Sequence, residues 1–150
     1  MINIIKRIFD KNSPPILIAE ISANHNGSFL TAKKLIKCAK VNGADAVKLQ
    51  TYQADTMTLK SDKRYFQLKS GLWKNYTLWN LYNQAKTPLE WHKKLFDYAK
   101  KCGARDITLM YCVSNYPSKN SDFNLNNIRI LKKFTCKVAF LITQKITELQ

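Results

Sequence analysis

Two charged side chains stand inside short apolar runs of the sequence. Glu20 lies in the run 16–21 and Lys48 lies in the run 46–50, and both runs have the length of a strand. A lone charge in a buried strand is costly unless it is paired or takes part in chemistry. The pattern therefore predicts either a mutual Glu20–Lys48 ion pair without a function, or a carboxylate and an ammonium group that act on a substrate. The sequence leaves both open.

Further polar side chains follow the same apolar runs. Ligands of α/β proteins bind at the carboxyl ends of the strands, so these side chains are candidate ligand contacts. They are Asn24 and His25 after the first run, Gln50 at the end of the second, and Ser114 and Tyr116 after a third run at 107–113. His25 belongs to a turn cluster before Gly27, so a role as a turn residue is the alternative for it.

The cysteines and histidines form no metal-binding motif. No two cysteines make a Cys-x-x-Cys pair, and His25 and His92 are the only histidines. The cysteines are Cys38, Cys102, Cys112 and Cys136. This spacing predicts reduced thiols and no metal ligands. The sequence also has no phosphate-binding loop, dinucleotide glycine pattern or nucleophilic triad.

The chain is strongly basic, with 25 Lys and Arg against 10 Asp and Glu and a net charge of +15. Such a charge is typical of nucleic-acid-binding proteins. However, 21 of the basic residues are Lys and 4 are Arg, and they are spread along the chain. A protein that reads bases uses the planar guanidinium of Arg more than this. The composition therefore favours a biased amino-acid usage, with an anionic substrate as a further contributor, over a nucleic-acid partner.

Strand and helix patterns alternate around these candidates. A helical stripe that Ser28 can cap and Gly43 can end separates the runs 16–21 and 46–50, which predicts a parallel βαβ unit whose first strand is buried on both faces. Residues 53–86 form a long connection with interleaved aromatic and basic residues and a helical end, which favours packing over base stacking.

Thr87-Pro88-Leu89-Glu90 predicts the start of another helix. Thr87 would cap it and Glu90 would reach back to the cap, and the helix would end at Gly103. A strand at 107–113, a helical pattern up to Phe134 and an apolar run at 138–142 follow. The fold class predicted by these patterns is α/β, with about four strands alternating with helices.

Several segments resemble the sialic acid (N-acetylneuraminate) synthase family, in particular its pseudaminic acid synthase branch. The resemblance spans roughly residues 14–138. The segments are 18–28 (IAEISANHNGS), 43–52 (GADAVKLQTY), 71–73, 81–82, 85–92 (AKTPLEWH) and 112–117 (CVSNYP), followed by Asp122 and 124–125.

This resemblance implies a (β/α)₈ barrel enzyme that condenses phosphoenolpyruvate with an amino-sugar aldehyde and releases phosphate. A divalent metal, Mn²⁺ or Mg²⁺, acts as the Lewis acid in the intact family. The resemblance further implies that Glu20 is the catalytic residue where the substrates meet and that Lys48 holds phosphoenolpyruvate. Ser114 and Tyr116 would face the substrates from a later strand.

Departures from the family pattern indicate an incomplete TIM-type (β/α)₈ barrel. By this resemblance, we expect the counterparts of strands three to five of the family to be missing between Gly103 and Ile107, together with both metal-binding histidines and the C-terminal domain. We therefore predict an N-terminal βαβα part at 1–104, a later barrel unit at 105–138 joined after an internal deletion, and a non-family tail at 139–150. Codons for 138–144 can also spell Gly-Phe-Ser-Asp-His-Thr two bases later, a metal-site segment of the family, so the tail could arise from a frameshift.

The function predicted from these features is that of an inactive synthase remnant in the cytoplasm. No apolar stretch has the length of a membrane span. The alternatives are a minimal, weakly active synthase and a basic nucleic-acid-binding module.

Overall fold

The computed structural model describes Arg7 and residues 10–113, 118–134 and 137–141. The chain divides into two compact units, Met1–Ala104 and Arg105–Gln150. The assignment of 1–104 and 105–138 to different parts of a barrel stays a prediction.

The first unit contains a parallel βαβ motif. Strands β1 (Ile18–Glu20) and β2 (Ala46–Lys48) pair in parallel, with Glu20 directly opposite Lys48. Helix α1 (Phe29–Val41) connects them. The predicted strand–helix–strand order is confirmed, although both strands are shorter than the apolar runs that contain them.

Helix α1 begins and ends where its sequence predicts. The Ser28 hydroxyl oxygen accepts a hydrogen bond from the Thr31 N–H at 3.2 Å, which satisfies one of the free donors of the first turn. Beyond the last turn, Gly43 has a φ of +83°, a left-handed conformation that glycine adopts without a steric penalty. The predicted cap and stop are both confirmed.

The described part of the first unit also contains three further helices and a 3₁₀ turn between residues 54 and 101. They are α2 (Ala54–Met57), the 3₁₀ turn Arg64–Phe66, α3 (Leu78–Ala85) and α4 (Leu89–Lys101). The predicted capping box at the start of α4 is wrong, because Pro88 occupies the cap position and no side chain caps the helix. Thr87 is buried instead, with its hydroxyl 3.4 Å from His25 Nε2.

The core of the first unit lies between the sheet and the helices α1 and α4. Its buried members are Ile21, Ala32, Ile36 and Leu95, and Val47 and Leu49 pack against them. Because successive strand side chains point to opposite faces, Glu20 and Lys48 lie on the face away from this core. The prediction that both faces of the first strand are buried is wrong, since Ile18 is 55% exposed. The two helices cover one face of the sheet, and Ile18 lies on the other.

The second unit is also built on two parallel strands. β3 (Thr108–Cys112) pairs with β4 (Lys137–Leu141), and α5 (Asn126–Leu131) packs against both of them. A 3₁₀ turn at Asn120–Asp122 precedes α5. Strands that alternate with helices in both units confirm the α/β fold class. None of the helices that the structure describes has the length and apolar character needed to cross a bilayer.

Candidate functional site

Glu20 and Lys48 form an ion pair across the β1–β2 ladder. Lys48 Nζ lies 2.5 Å from Glu20 Oε2, and the side chains of Lys48 and Glu20 remain 35% and 41% exposed. Glu20 Oε1 also accepts a hydrogen bond from the Ser22 N–H at 3.1 Å. The pair that the sequence allows is therefore present, and solvent or a small anion can reach both charged groups.

Ser22 and Gln50 extend this polar group beyond the ends of the strands. The Ser22 hydroxyl donates to Gln50 Oε1 at 2.9 Å, and the Ile21 N–H donates to the Lys48 carbonyl at 3.0 Å. Ser22 has a φ of +44°, which turns the chain sharply after β1. Sequence analysis missed Ser22, because its only signal is a hydroxyl directly after an apolar run. Ser22 and Gln50 now join Glu20 and Lys48 at the carboxyl ends of β1 and β2.

The turn after β1 exposes Asn24 and buries His25. His25 Nδ1 accepts a hydrogen bond from the Gly27 N–H at 3.1 Å, so the proton of the neutral imidazole is on Nε2 and points to the Thr87 hydroxyl. The centroids of the His25 and Trp91 rings lie 5.4 Å apart in a T-shaped arrangement, and burial lowers the pKa of His25. These contacts support the turn role for His25, while a substrate contact by His25 stays a prediction.

His92 makes a matching connection to the end of β2. Its Nδ1 lies 3.1 Å from the Pro88 carbonyl oxygen and 3.3 Å from that of Leu89. Carbonyl oxygens only accept, so Nδ1 carries the proton, and in the neutral imidazole Nε2 accepts a 2.6 Å hydrogen bond from the Thr51 hydroxyl. The two histidines thus tie the loops after β1 and β2 to the start of α4. Sequence analysis gave no role to Thr51 or His92.

In the part of the chain that the structure describes, the side chains do not form a site for the divalent metal that the resemblance implies. Across the described ranges, no three His, Cys, Asp or Glu side chains gather in a group that could hold a metal ion. Both ring nitrogens of His25 and of His92 already have hydrogen-bonding partners.

Ser114 and Tyr116 lie outside the described residues. Val113, which precedes them, is buried in the second unit. Their assignment as substrate contacts stays a prediction.

Comparison with known proteins decides the family of the first unit. Residues 35–105 match the NeuB family, a segment that includes β2, α3 and α4 together with Lys48, Gln50 and Thr51. The chain carries a NeuB family domain. Glu20 precedes the matched segment and pairs with Lys48 inside it.

Two pseudaminic acid synthases are among the relatives of this NeuB-type chain. The synthase of Campylobacter jejuni strain 81-176 is 44% identical over 126 residues, which are 84% of this chain and 33% of the relative. The synthase of Helicobacter pylori strain 26695 is 36% identical over 136 residues, which are 91% of this chain and 36% of the relative. The chain therefore spans about a third of the length of these curated relatives.

A third relative reveals a gap inside the alignment. An uncharacterized protein of Methanocaldococcus jannaschii is 27% identical over 184 aligned positions, which use 84% of this chain and 54% of that protein. Because the aligned positions outnumber the 150 residues of the chain, an internal stretch of the relative has no counterpart here.

Proposed function

We propose that this chain is a remnant of a synthase that condenses phosphoenolpyruvate with an amino-sugar aldehyde to form a nonulosonic acid of the sialic or pseudaminic type. The observation that carries the proposal is the Glu20–Lys48 pair, held in register at the carboxyl ends of two parallel strands. This is the edge of an α/β sheet at which substrates bind.

In this proposal Lys48 holds the anionic groups of phosphoenolpyruvate. An ammonium group is a compact point charge that can exchange one anionic partner for another, and Glu20 occupies it in the absence of substrate. Glu20, released from Lys48, would then face the point where the two substrates meet. Gln50 and Asn24 would offer amide groups to the hydroxyls of the sugar.

We further propose that the chain does not turn over these substrates. The donors that could hold a divalent metal do not gather among the described side chains, and the alignment with the archaeal relative has an internal gap. We therefore propose an incomplete barrel, with 1–104 as its N-terminal part, 105–138 as a later unit and 139–150 as a non-family tail. We also propose a cytoplasmic location, to which reduced cysteines are suited.

Two other functions have support of their own. The intact Glu20–Lys48 pair supports a minimal, weakly active synthase. The net charge of +15, together with the almost fully exposed ring of Tyr65 next to Arg64, supports a basic module that binds nucleic acid.

A steady-state assay of phosphate release separates these functions. With phosphoenolpyruvate, an N-acetylated amino-sugar aldehyde and Mn²⁺, we expect no phosphate above background from the purified chain. Release that disappears in both Glu20→Gln and Lys48→Met would establish the minimal synthase instead. Retention on immobilised DNA that weakens steeply with salt would favour the basic module.

A further inference from the structure

The Thr51–His92 pair has the arrangement of a nucleophile, a base and a group that orients the base. The Thr51 hydroxyl is exposed and donates to His92 Nε2 at 2.6 Å. On the other side of the ring, Nδ1–H donates to the carbonyls of Pro88 and Leu89, which fixes both the orientation and the tautomer of the imidazole. Hydroxyl nucleophiles are activated by an adjacent base that a third group holds in place.

A second threonine of the same region lacks this arrangement and serves as an internal comparison. Thr56 is also exposed, but its hydroxyl donates to the Gln53 carbonyl oxygen at 2.8 Å. A carbonyl oxygen cannot take up a proton at neutral pH, whereas a neutral imidazole can. Thr51 and Thr56 therefore have the same side chain and similar exposure but differ in the base beside the hydroxyl.

We infer that Thr51 is an activated nucleophile that accepts an acyl group from an activated ester, with His92 as its general base. Thr51 Oγ1 bonds to the acyl carbon, and the bond from that carbon to the leaving oxygen breaks, with its electron pair going to the leaving oxygen. The hydroxyl proton of Thr51 moves to His92 Nε2, from which the leaving oxyanion or water removes it. The product is an ester on Thr51, and the reaction requires neither a metal nor the proposed synthase chemistry.

The test uses the full chain and p-nitrophenyl acetate. The release of nitrophenolate measures the rate of acetylation. Mass spectrometry of peptides then locates the acetyl groups. Alkaline hydroxylamine cleaves oxygen esters but not the amides formed on lysines, so it separates Thr51 from the lysine background. We expect the ester on Thr51 to form at least 100-fold faster than on Thr56, since a positioned base contributes about 10²–10⁴-fold. Equal rates on the two threonines would overturn the inference.

Variants assign the base. Thr51→Ser should be acetylated at least as fast as the wild type, Thr51→Val should lose the ester at this position, and Thr56→Val should leave it unchanged. His92→Gln should slow the reaction at least tenfold, and a folded His92→Gln chain that reacts at the wild-type rate would refute the assignment. If that variant does not fold, the pH dependence of the wild type decides the matter. The rate should rise as the imidazole loses its proton and then level off, and a rate that instead follows hydroxide across the whole range would exclude His92 as the base.

Discussion

Replacing Glu20 by Gln and Lys48 by Met, singly and together, measures how strongly the ion pair holds β1 against β2. The coupling free energy from this double-mutant cycle distinguishes an ion pair that stabilises the fold from charged groups available to a substrate. A structural pair should couple strongly, whereas a pair that is accessible to a ligand should contribute little to the free energy of unfolding.

The structure sets the expected magnitude. At the 2.5 Å separation of Lys48 Nζ and Glu20 Oε2, the attraction in water is about 1.7 kcal/mol. Fixing two long side chains in one geometry offsets much of this attraction. Because the two side chains are 35% and 41% exposed, we expect a net coupling of about 0.2–1 kcal/mol, weaker still at high salt.

Urea unfolding followed by circular dichroism supplies the four free energies of the cycle. The matched control is the pair Lys93–Asp97, one turn apart on α4 and more exposed, which should couple less than Glu20–Lys48. A coupling free energy between Glu20 and Lys48 above about 2 kcal/mol would identify a structural ion pair. It would refute the proposal that the two charged groups are available to a substrate.

Three other outcomes are expected. Leu95→Ala should lower the free energy of unfolding by about 3 kcal/mol, because Leu95 is fully buried, whereas Leu30→Ala at a 60% exposed position of α1 should change it by less than about 0.5 kcal/mol; equally small effects would contradict a packed core. Burial lowers the pKa of His25, so below about pH 6.5 the unfolded chain binds a proton at this residue that the folded chain does not. The contribution of His25 to the free energy of unfolding should therefore be constant above about pH 6.5 and fall below it by up to about 1.4 kcal/mol per pH unit. If the free energy of unfolding of the His25→Gln variant fell with the same pH slope, His25 would not be the cause of the pH dependence. Finally, the nucleotide sequence should spell Ser-Asp-His-Thr two bases out of frame after Val138, and triplets that cannot do so in any frame would end the frameshift hypothesis.

Local patterns were sufficient to predict the elements that carry the site. The strand–helix–strand order and the Ser28 cap follow from residues close together in sequence, and both are confirmed. The sequence leaves open whether Glu20 and Lys48 pair with each other or act on a substrate, because strand register depends on pairing between distant segments. Sequence reasoning could therefore name both charged residues but could not determine whether they meet.

Contacts between distant segments account for the errors and omissions. Thr87 has the sequence of a helix cap, yet its hydroxyl faces His25, 62 positions earlier in the chain. Thr51 and His92 meet across 41 positions, and no local pattern marks either of them. Ile18 is exposed because burial of a strand depends on the layers beside it as well as on its own apolar character.

The most direct test of the proposed remnant is a single-turnover reaction with the chain in excess over phosphoenolpyruvate and the amino-sugar aldehyde, in the presence of Mn²⁺. Mass spectrometry detects the acid formed when the aldehyde is joined to the three-carbon unit of phosphoenolpyruvate, and the Campylobacter jejuni pseudaminic acid synthase, with the aldehyde that it accepts, serves as the positive control. We predict that the control forms product and that this chain forms none, even after prolonged incubation. Product that forms with the wild-type chain and disappears in Glu20→Gln and Lys48→Met would contradict the account.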